Sequence, residues 1–289
     1  MKTRLLPLLA LSLFLLQPIS GCQSNTKEVT NYDPDTTLGP NEITPSDAEV
    51  LDKDKQISDP WVTAESDILK LYDAYVSTDI ESADYDPVKF DFEEALKRLL
   101  LDPKSKDYQF QGLSEAGIHA VQSTDKKMRV FSWDDNTGGS MRFYTNLYQV
   151  FDGTKPEVYL FRASQDTKAQ ETTHINEIHS FQADHKTYYV LLGQSPVSNR
   201  LVYELLQMVT LNGNRMHFKN NNILWEGKKV STIFTSYDFL NLDQDNEEEL
   251  VNLIKFDAVK RQISVPVVNS EDQFTKKYKT LHLVGNLFK

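Results

Sequence analysis

The feature that most constrains the fold is a series of short segments that runs from Ile118 to the C-terminus. Each segment is rich in Val, Ile, Phe, Tyr and Thr, and compact polar turns separate the segments. This composition and spacing predict β-strands. The predicted strands are 118–121, 127–133, 141–151, 157–162, 175–181, 187–192, 201–211, 215–219, 229–237, 250–256, 262–268 and 278–284.

The connections between these strands are too short for crossover helices, so antiparallel pairing is predicted. Asp152-Gly153 and Asn212-Gly213 favour tight hairpins, because both dipeptides tolerate positive φ angles. The series is compatible with an antiparallel meander in the form of a sandwich, a barrel or three propeller-like units. No convincing sequence repeat supports the propeller.

The segment 61–104 is predicted to form two helices. Ile68, Tyr72 and Tyr75 recur at three- and four-residue spacing, which produces one apolar helical face. Phe92 and Leu96 mark the buried face of the second helix, and Asp-Pro at 102–103 ends it. The predicted fold class is therefore mainly β with a short N-terminal α-helical segment, an α+β protein whose β domain covers 105–289.

The first 21 residues have the pattern of a cleavable export signal. Lys2 and Arg4 are followed by an apolar run over 5–16 and by small residues just before Cys22. That run is too short for a transmembrane span, which needs ~20 residues. The next segment, 22–60, is acidic, with many Asn, Thr and Pro and isolated apolar residues. We expect a disordered tether there, because too little apolar surface can be buried to offset the ordering entropy.

Ile19, Ser20, Gly21 and Cys22 resemble the lipobox of bacterial lipoproteins. The resemblance implies cleavage before Cys22, a diacylglycerol on its thiol and, in many bacteria, a further acyl chain such as palmitate. Two or three chains hold a protein on a membrane essentially permanently. Gln23 stands where lipoproteins kept at an inner membrane often have Asp, so the resemblance implies the periplasmic or outer face of the outer membrane. The alternative is an ordinary secretory signal that ends by chance near a cysteine.

Charge and cysteine content exclude several classes of function. The chain has 31 Lys and Arg against 42 Asp and Glu, a net charge of −11, and no run of basic residues. Nucleic-acid binding needs a concentrated basic face, so nucleic acid is excluded as a partner. The same charge predicts repulsion from anionic lipid surfaces. Cys22 is the one cysteine of the chain, so disulfides and thiolate zinc sites are excluded as well.

A polar loop between two predicted strands is the first candidate ligand site. It begins with Trp133, Asp134, Asp135 and Asn136 and continues into a Gly pair, with Arg142 close behind. An indole face, two carboxylates and exposed amides could hold a polar ligand. The alternative is a structural hairpin loop with Asx turns.

The surrounding segment, 129–143, is similar to a segment of uncharacterised exported bacterial proteins. That resemblance covers a short part of the chain and implies no activity.

An acidic stretch is the second candidate site. Asn241, Asp243, Asp245 and Glu249 place oxygen side chains at alternating positions, and this pattern resembles the short calcium loops of EF-hand and integrin-like repeats. Calcium needs several oxygens at ~2.3–2.6 Å. The positions that the pattern assigns to Gly and to a bidentate Glu are Asn in this chain. A solvated acidic turn without a metal is the alternative.

Other catalytic and metal motifs are missing from the sequence. His174, His179 and His185 are close in sequence, but residues five apart on a strand face opposite sides, so no shared metal site is predicted. The chain has no HExxH, GxSxG, P-loop or GxGxxG motif. The sequence therefore predicts no catalytic residue and no organic cofactor. Calcium at the acidic stretch is the one metal ion considered.

Two functional hypotheses follow. The first is a lipid-anchored domain without enzymatic activity that binds an envelope protein or glycan, such as an inhibitor or immunity-type protein. The alternative is an envelope hydrolase that uses a carboxylate pair, for which Asp134 and Asp135 are candidates. Adjacent residues on a strand point to opposite sides, so the loop would have to reorient one of the two carboxylates.

We expect the Cys22→Ser variant to remain an unprocessed precursor without fatty-acid label, because only the thiol accepts the lipid and lipidation precedes cleavage. The measurement is metabolic labelling with palmitate together with the size of the product on a gel. A correctly cut but unlabelled product would indicate ordinary secretion with another cleavage site.

Overall fold

A computed structural model describes residues 59–151, 153–162, 173–242 and 252–289. The predicted signal peptide 1–21 and nearly all of the predicted tether 22–60, with Cys22, lie outside these ranges. The prediction of a mainly β protein is confirmed, and several sheets are antiparallel. Within the described ranges, no helix is both long and apolar enough to cross a membrane.

The described chain begins with a helical layer. Helix α1 is Pro60–Ser77, α2 is Tyr85–Leu100, a 3₁₀ helix is Pro103–Asp107 and α3 is Gln111–Glu115. Helix α1 begins at Pro60 because Pro suits a first helical turn and because the Asp59 carboxylate accepts a hydrogen bond from the backbone N–H of Trp61 at 2.9 Å.

Among the described residues, fifteen strands follow the helices. They are β1 (His119–Gln122), β2 (Met128–Asp134), β3 (Tyr144–Val150), β4 (Glu157–Phe161), β5 (His174–Ala183), β6 (Lys186–Pro196), β7 (Leu201–Asn212), β8 (Arg215–His217), β9 (Ile223–Trp225), β10 (Lys228–Val230), β11 (Thr232–Asp238), β12 (Lys255–Asp257), β13 (Gln262–Val268), β14 (Phe274–Val284) and β15 (Leu287–Phe288).

The strands form three sheets. The first sheet has the order β1-β2-β3-β4, and the central sheet has the order β11-β7-β6-β5 with β8 paired to β7. The outer sheet has the order β10-β9-β15-β14-β13-β12. All pairs are antiparallel except one short parallel contact between Phe288 and Ile223, which departs from the predicted antiparallel rule.

The layers are stacked in the order helical layer, first sheet, central sheet and outer sheet. Phe92 of α2 packs with Phe131 and Trp133 of the first sheet in one apolar cluster. The opposite face of the first sheet packs on the central sheet through residues such as Val130 and Leu191. A third cluster joins the central sheet to the outer sheet. Of the predicted alternatives, layered sheets correspond to a sandwich with additional layers.

The central sheet is buried on both faces, and its strands carry the corresponding pattern. Leu205 and Val209 of β7 belong to the cluster shared with the first sheet, whereas Leu206 and Met208 belong to the cluster shared with the outer sheet. Successive side chains of a strand point to opposite faces. A strand covered on both sides therefore needs apolar residues in succession, as β7 has them.

The structure corrects three local predictions. The predicted strand 229–237 is two strands, since Val230 belongs to the outer sheet, Thr232 to the central sheet, and Ser231 lies at the crossing between them. The strands β9 and β15 were missed because they are only three and two residues long. In the second predicted hairpin, Asn212 pairs with Arg215, so the two-residue turn is 213–214.

Replacing Leu206 by Ala is expected to destabilise the folded domain by about 2–5 kcal/mol, because this fully buried side chain leaves a cavity in the middle of the stack. Chemical denaturation measures the change in the free energy of unfolding. Leu240→Ala is the matched control, since that side chain is exposed and should change stability by less than about 0.5 kcal/mol. Equal effects would contradict burial of the central sheet on both faces.

Candidate functional site

The predicted ligand loop is divided between the core and the surface. Trp133 is fully buried and packs edge-on against Phe92, with ring centroids 5.4 Å apart. Its indole face is therefore not available to a ligand, in contrast to the expectation from sequence. Asp134 is partly exposed and forms an ion pair with Arg142 at 2.8 Å, and it also accepts a hydrogen bond from the backbone N–H of Asn136 at 2.9 Å.

Asp135 is the centre of a buried polar cluster between the helical layer and the first sheet. Its Oδ2 lies 2.7 Å from Nζ of Lys89, and its Oδ1 accepts hydrogen bonds from Tyr75 at 3.0 Å and from Thr145 at 3.2 Å. The hydroxyls of Tyr75 and Tyr85 both donate to its backbone carbonyl. Burial, and next the Asp135 charge, raise the pKa of Tyr75, so this phenol stays protonated and remains a donor.

The placement of Asp135 bears on the carboxylate-pair hypothesis. Only 2% of the residue is exposed, and every partner described above is a hydrogen-bond donor or a cation. A carboxylate enclosed in this way is not in a position to meet a substrate bond together with Asp134, which is held by Arg142.

A second ion pair, between a buried carboxylate and a half-exposed guanidinium, lies one helical turn further along α2. Glu93 is fully buried, and its carboxylate accepts hydrogen bonds from Nε of Arg162 at 2.8 and 3.1 Å and a further short one from Nη2. These hydrogen bonds raise the pKa of Arg162. Lys89 and Glu93 are four residues apart and therefore lie on the same face of α2. Their two ion pairs attach this face of the helix to the first sheet.

Two surface depressions lie beside this polar cluster. The first, about 410 Å³, is lined by the end of α1 and the connection to α2, and its lining includes Tyr75, Tyr85 and Asn136. The second, about 320 Å³, is lined by Asp86, Lys89, Phe90, Glu93 and Arg162. The ammonium of Lys89 lies 5.9 Å from the ring centres of Tyr75 and Tyr85, so one cluster contributes to both depressions.

Exposed apolar side chains border both depressions. Phe90 is 55% exposed, Ile80 is 51% exposed and Val76 is 40% exposed. We call this surface, from Val76 and Ile80 to Phe90 and Arg162, the helical face. It combines apolar side chains with a guanidinium, and Phe and Arg are among the residues enriched in protein interfaces.

Most of the second candidate site from the sequence lies outside the described residues. Asn241 ends a short 3₁₀ helix, Phe239–Asn241, whereas Asp243, Asp245 and Glu249 lie outside the described residues. Calcium binding by this stretch stays a prediction. Within the described ranges, no three His, Cys, Asp or Glu side chains are grouped so as to hold a metal ion.

The histidines fall into different environments. The His174 ring lies beside that of His119, with ring centroids 4.9 Å apart and the planes tilted by 57°. Burial, and next the neighbouring His119, lower the pKa of His174 to about 4. His179 instead pairs with Glu177 at 2.7 Å. His174 and His179 therefore have different partners.

Sequence reasoning missed a buried carboxylate in the central sheet. Glu204 accepts hydrogen bonds from the backbone N–H groups of Leu253 and Ile254 at 2.6 and 2.7 Å and from the Tyr237 hydroxyl at 3.1 Å. Among the described residues, no salt bridge involves Glu204. The signal was a single Glu inside an otherwise apolar strand, β7. Burial raises the pKa of Glu204 to about 7, although its three donors act in the opposite direction.

No protein-family model, no curated protein and no solved structure matches this chain. The geometry of the described residues is therefore the basis for the functional argument.

We expect the Glu204 carboxyl to make folding stability depend on pH. Its folded pKa of about 7 lies above its unfolded value, so the folded state binds the proton more tightly, and stability decreases as pH rises from about 4.5 through 7. Between about pH 5 and pH 8 the loss should be on the order of 2–3 kcal/mol. Chemical denaturation of the wild type and of Glu204→Gln at both pH values isolates the contribution of the Glu204 carboxyl to the free energy of unfolding. The same pH dependence in both proteins would contradict the expectation.

Proposed function

We propose that this protein is a bacterial envelope lipoprotein, anchored through Cys22, whose folded domain binds another protein through the helical face without catalysing a reaction. Inhibitors and immunity-type proteins belong to this class. The outer membrane is the proposed location, on the evidence of the lipobox-like residues and Gln23.

The main observation that supports binding is the helical face itself. Phe90, Ile80 and Val76 expose apolar surface around two open depressions, and Arg162 stands at the edge of the second. Leaving Phe90 in water is unfavourable at about 25 cal/mol for each Å² that a partner could cover. A protein partner offers both the apolar surface for Phe90 and the carboxylates for Arg162.

Rigidity of the face also supports binding. The buried pairs Lys89–Asp135 and Glu93–Arg162 attach α2 to the first sheet below it. A surface held in one conformation before contact loses less side-chain and loop entropy when it binds. The buried carboxylates of Asp135 and Glu93 therefore support the recognition surface from below, whereas the half-exposed guanidinium of Arg162 stays open to the partner.

The experiment is affinity capture from envelope extracts with the full-length, acylated protein and its Phe90→Ser variant. We expect a partner that the wild type retains to be lost, or reduced about tenfold or more, with Phe90→Ser, because truncating a central aromatic anchor typically costs ~2 kcal/mol or more. Phe234→Ser is the matched control, since Phe234 is also exposed but lies on β11 of the central sheet.

Both side chains are exposed, so both variants should stay folded at the temperature of the capture experiment, which a thermal melt of each variant checks. Retention of the same proteins by wild type and Phe90→Ser would reject the helical face as the binding surface. Hydrolysis of envelope glycan or peptide by the purified protein would reject the non-catalytic part of the proposal.

A further inference from the structure

Two histidine rings meet where the first sheet packs on the central sheet. His119 lies on β1, an edge strand of the first sheet, and His174 begins β5, an edge strand of the central sheet. Their ring centroids are 4.9 Å apart, and the ring planes are tilted by 57°. The imidazole neighbour of His174 is therefore His119, and not His179 or His185, which are much closer in sequence.

Ser132 of β2 connects the two histidines. It pairs with His119 across the first sheet, so both side chains leave the same face of that sheet. Its hydroxyl accepts a hydrogen bond from the backbone N–H of Ile175 at 3.2 Å. The residue that follows His174 is thus attached to the residue that lies beside His119, and this attachment brings the two rings together.

Two further contacts hold the His174 ring in place. The side chain of Asn146 donates a hydrogen bond to the backbone carbonyl of Thr173 at 3.0 Å, which fixes the chain on the other side of His174. The ring of Tyr144 lies 5.4 Å from that of His174, centre to centre, with the planes tilted by 31°. A side chain held in one position before contact loses less entropy when it binds a ligand.

The relative position of the two imidazoles fits coordination of one metal ion. The lone pair of an imidazole nitrogen lies in the ring plane, and the planes of two tilted rings intersect, whereas the planes of parallel stacked rings do not. Two imidazoles bound to one ion at ~2.0–2.1 Å and at a tetrahedral angle have ring centres roughly 5 Å apart. The observed 4.9 Å agrees with that separation.

One of the nitrogens also lacks a partner. Nε2 of His174 is buried and has no hydrogen-bond partner within the described part of the chain. Buried polar atoms in folded proteins are normally paired, so this nitrogen requires an explanation. Coordination of a metal ion provides one. The exposed ring of His119 gives an ion access from solvent, and the net charge of the chain, −11, attracts cations.

We propose that His119 and His174 together bind one divalent transition metal ion of the class that prefers imidazole ligands, such as Zn²⁺ or Cu²⁺. Within the described ranges no group of three His, Cys, Asp or Glu side chains could hold a metal ion, so water completes the coordination sphere. The ion links β1 to β5 and thereby the first sheet to the central sheet. Neither the anchor at Cys22 nor the helical face enters this inference.

The test uses the chain 22–289 with Cys22→Ser and without a histidine tag, so that neither a thiol nor a tag competes for the metal. Isothermal titration calorimetry with Zn²⁺ measures the stoichiometry and the Kd. We expect saturable binding of one zinc ion that excess Mg²⁺, which prefers oxygen ligands, does not displace. The melting temperature should rise by about 5 °C at a free zinc concentration of roughly 100 times the Kd.

The decisive variant is His119→Gln, which removes one metal ligand at an exposed position. We expect its Kd for zinc to be at least about tenfold higher, because even residues that only support a metal ligand contribute ~10–100-fold to affinity. The matched control is His282→Gln, which removes an exposed histidine of β14 and should bind zinc as the wild type does. With Cu²⁺, electron paramagnetic resonance should detect two bound nitrogens in the wild type and one in His119→Gln.

Metal-free melts of both variants check that each of them is folded. Equal zinc affinity of His119→Gln and His282→Gln would overturn the proposal, and so would a wild type without saturable zinc binding. In either case the contact between the two rings would be packing only. Because the test needs neither the acyl chain nor the helical face, its failure would leave the proposed lipoprotein function and its capture experiment unaffected.

Discussion

The strands β6 and β7 carry apolar side chains on both faces, and neither face can be left in water. Val190 and Leu191 are neighbours on β6, both fully buried, yet they belong to different apolar clusters. Burial of one such side chain contributes about 1.5–3 kcal/mol, so the central sheet is stable only between two covering layers. The first and outer sheets supply that cover, and the helices then cover the remaining face of the first sheet. The stacking of this domain follows from that requirement.

The contact between helices and first sheet contains charge as well as apolar surface. Removing Lys89 and Asp135 from water is costly, and their attraction offsets that cost only because Tyr75 and Thr145 supply further hydrogen bonds. A buried ion pair of this kind adds little stability relative to apolar residues, but it defines one orientation of α2 on the sheet. That orientation sets where Phe90 is presented, which connects the buried charges to the proposed recognition surface.

Local sequence patterns predicted most strands but not how they combine. The apolar runs around Leu191 and Leu206 identify β6 and β7 because strand texture is a property of neighbouring residues. Which strands share a sheet depends on contacts between residues far apart in the chain, as in the split at Ser231 between two sheets. The same limit applies to the site. Asp135 was named from sequence, but its partners Tyr75 and Lys89 are 60 and 46 residues away, and no local pattern joins them.

The sequence by itself determined the mainly β class and the antiparallel preference, because each depends on composition or spacing within a short window. Only the tertiary structure decided that Trp133 is core rather than ligand surface, and that Glu204 is enclosed by the backbone of a distant segment. Only the tertiary structure, too, brought the Lys279 ammonium to 4.3 Å from the centre of the Trp225 ring, 54 residues away in the sequence. Burial, pairing and local charge density are set by residues that meet in space, and a linear pattern does not contain those distances.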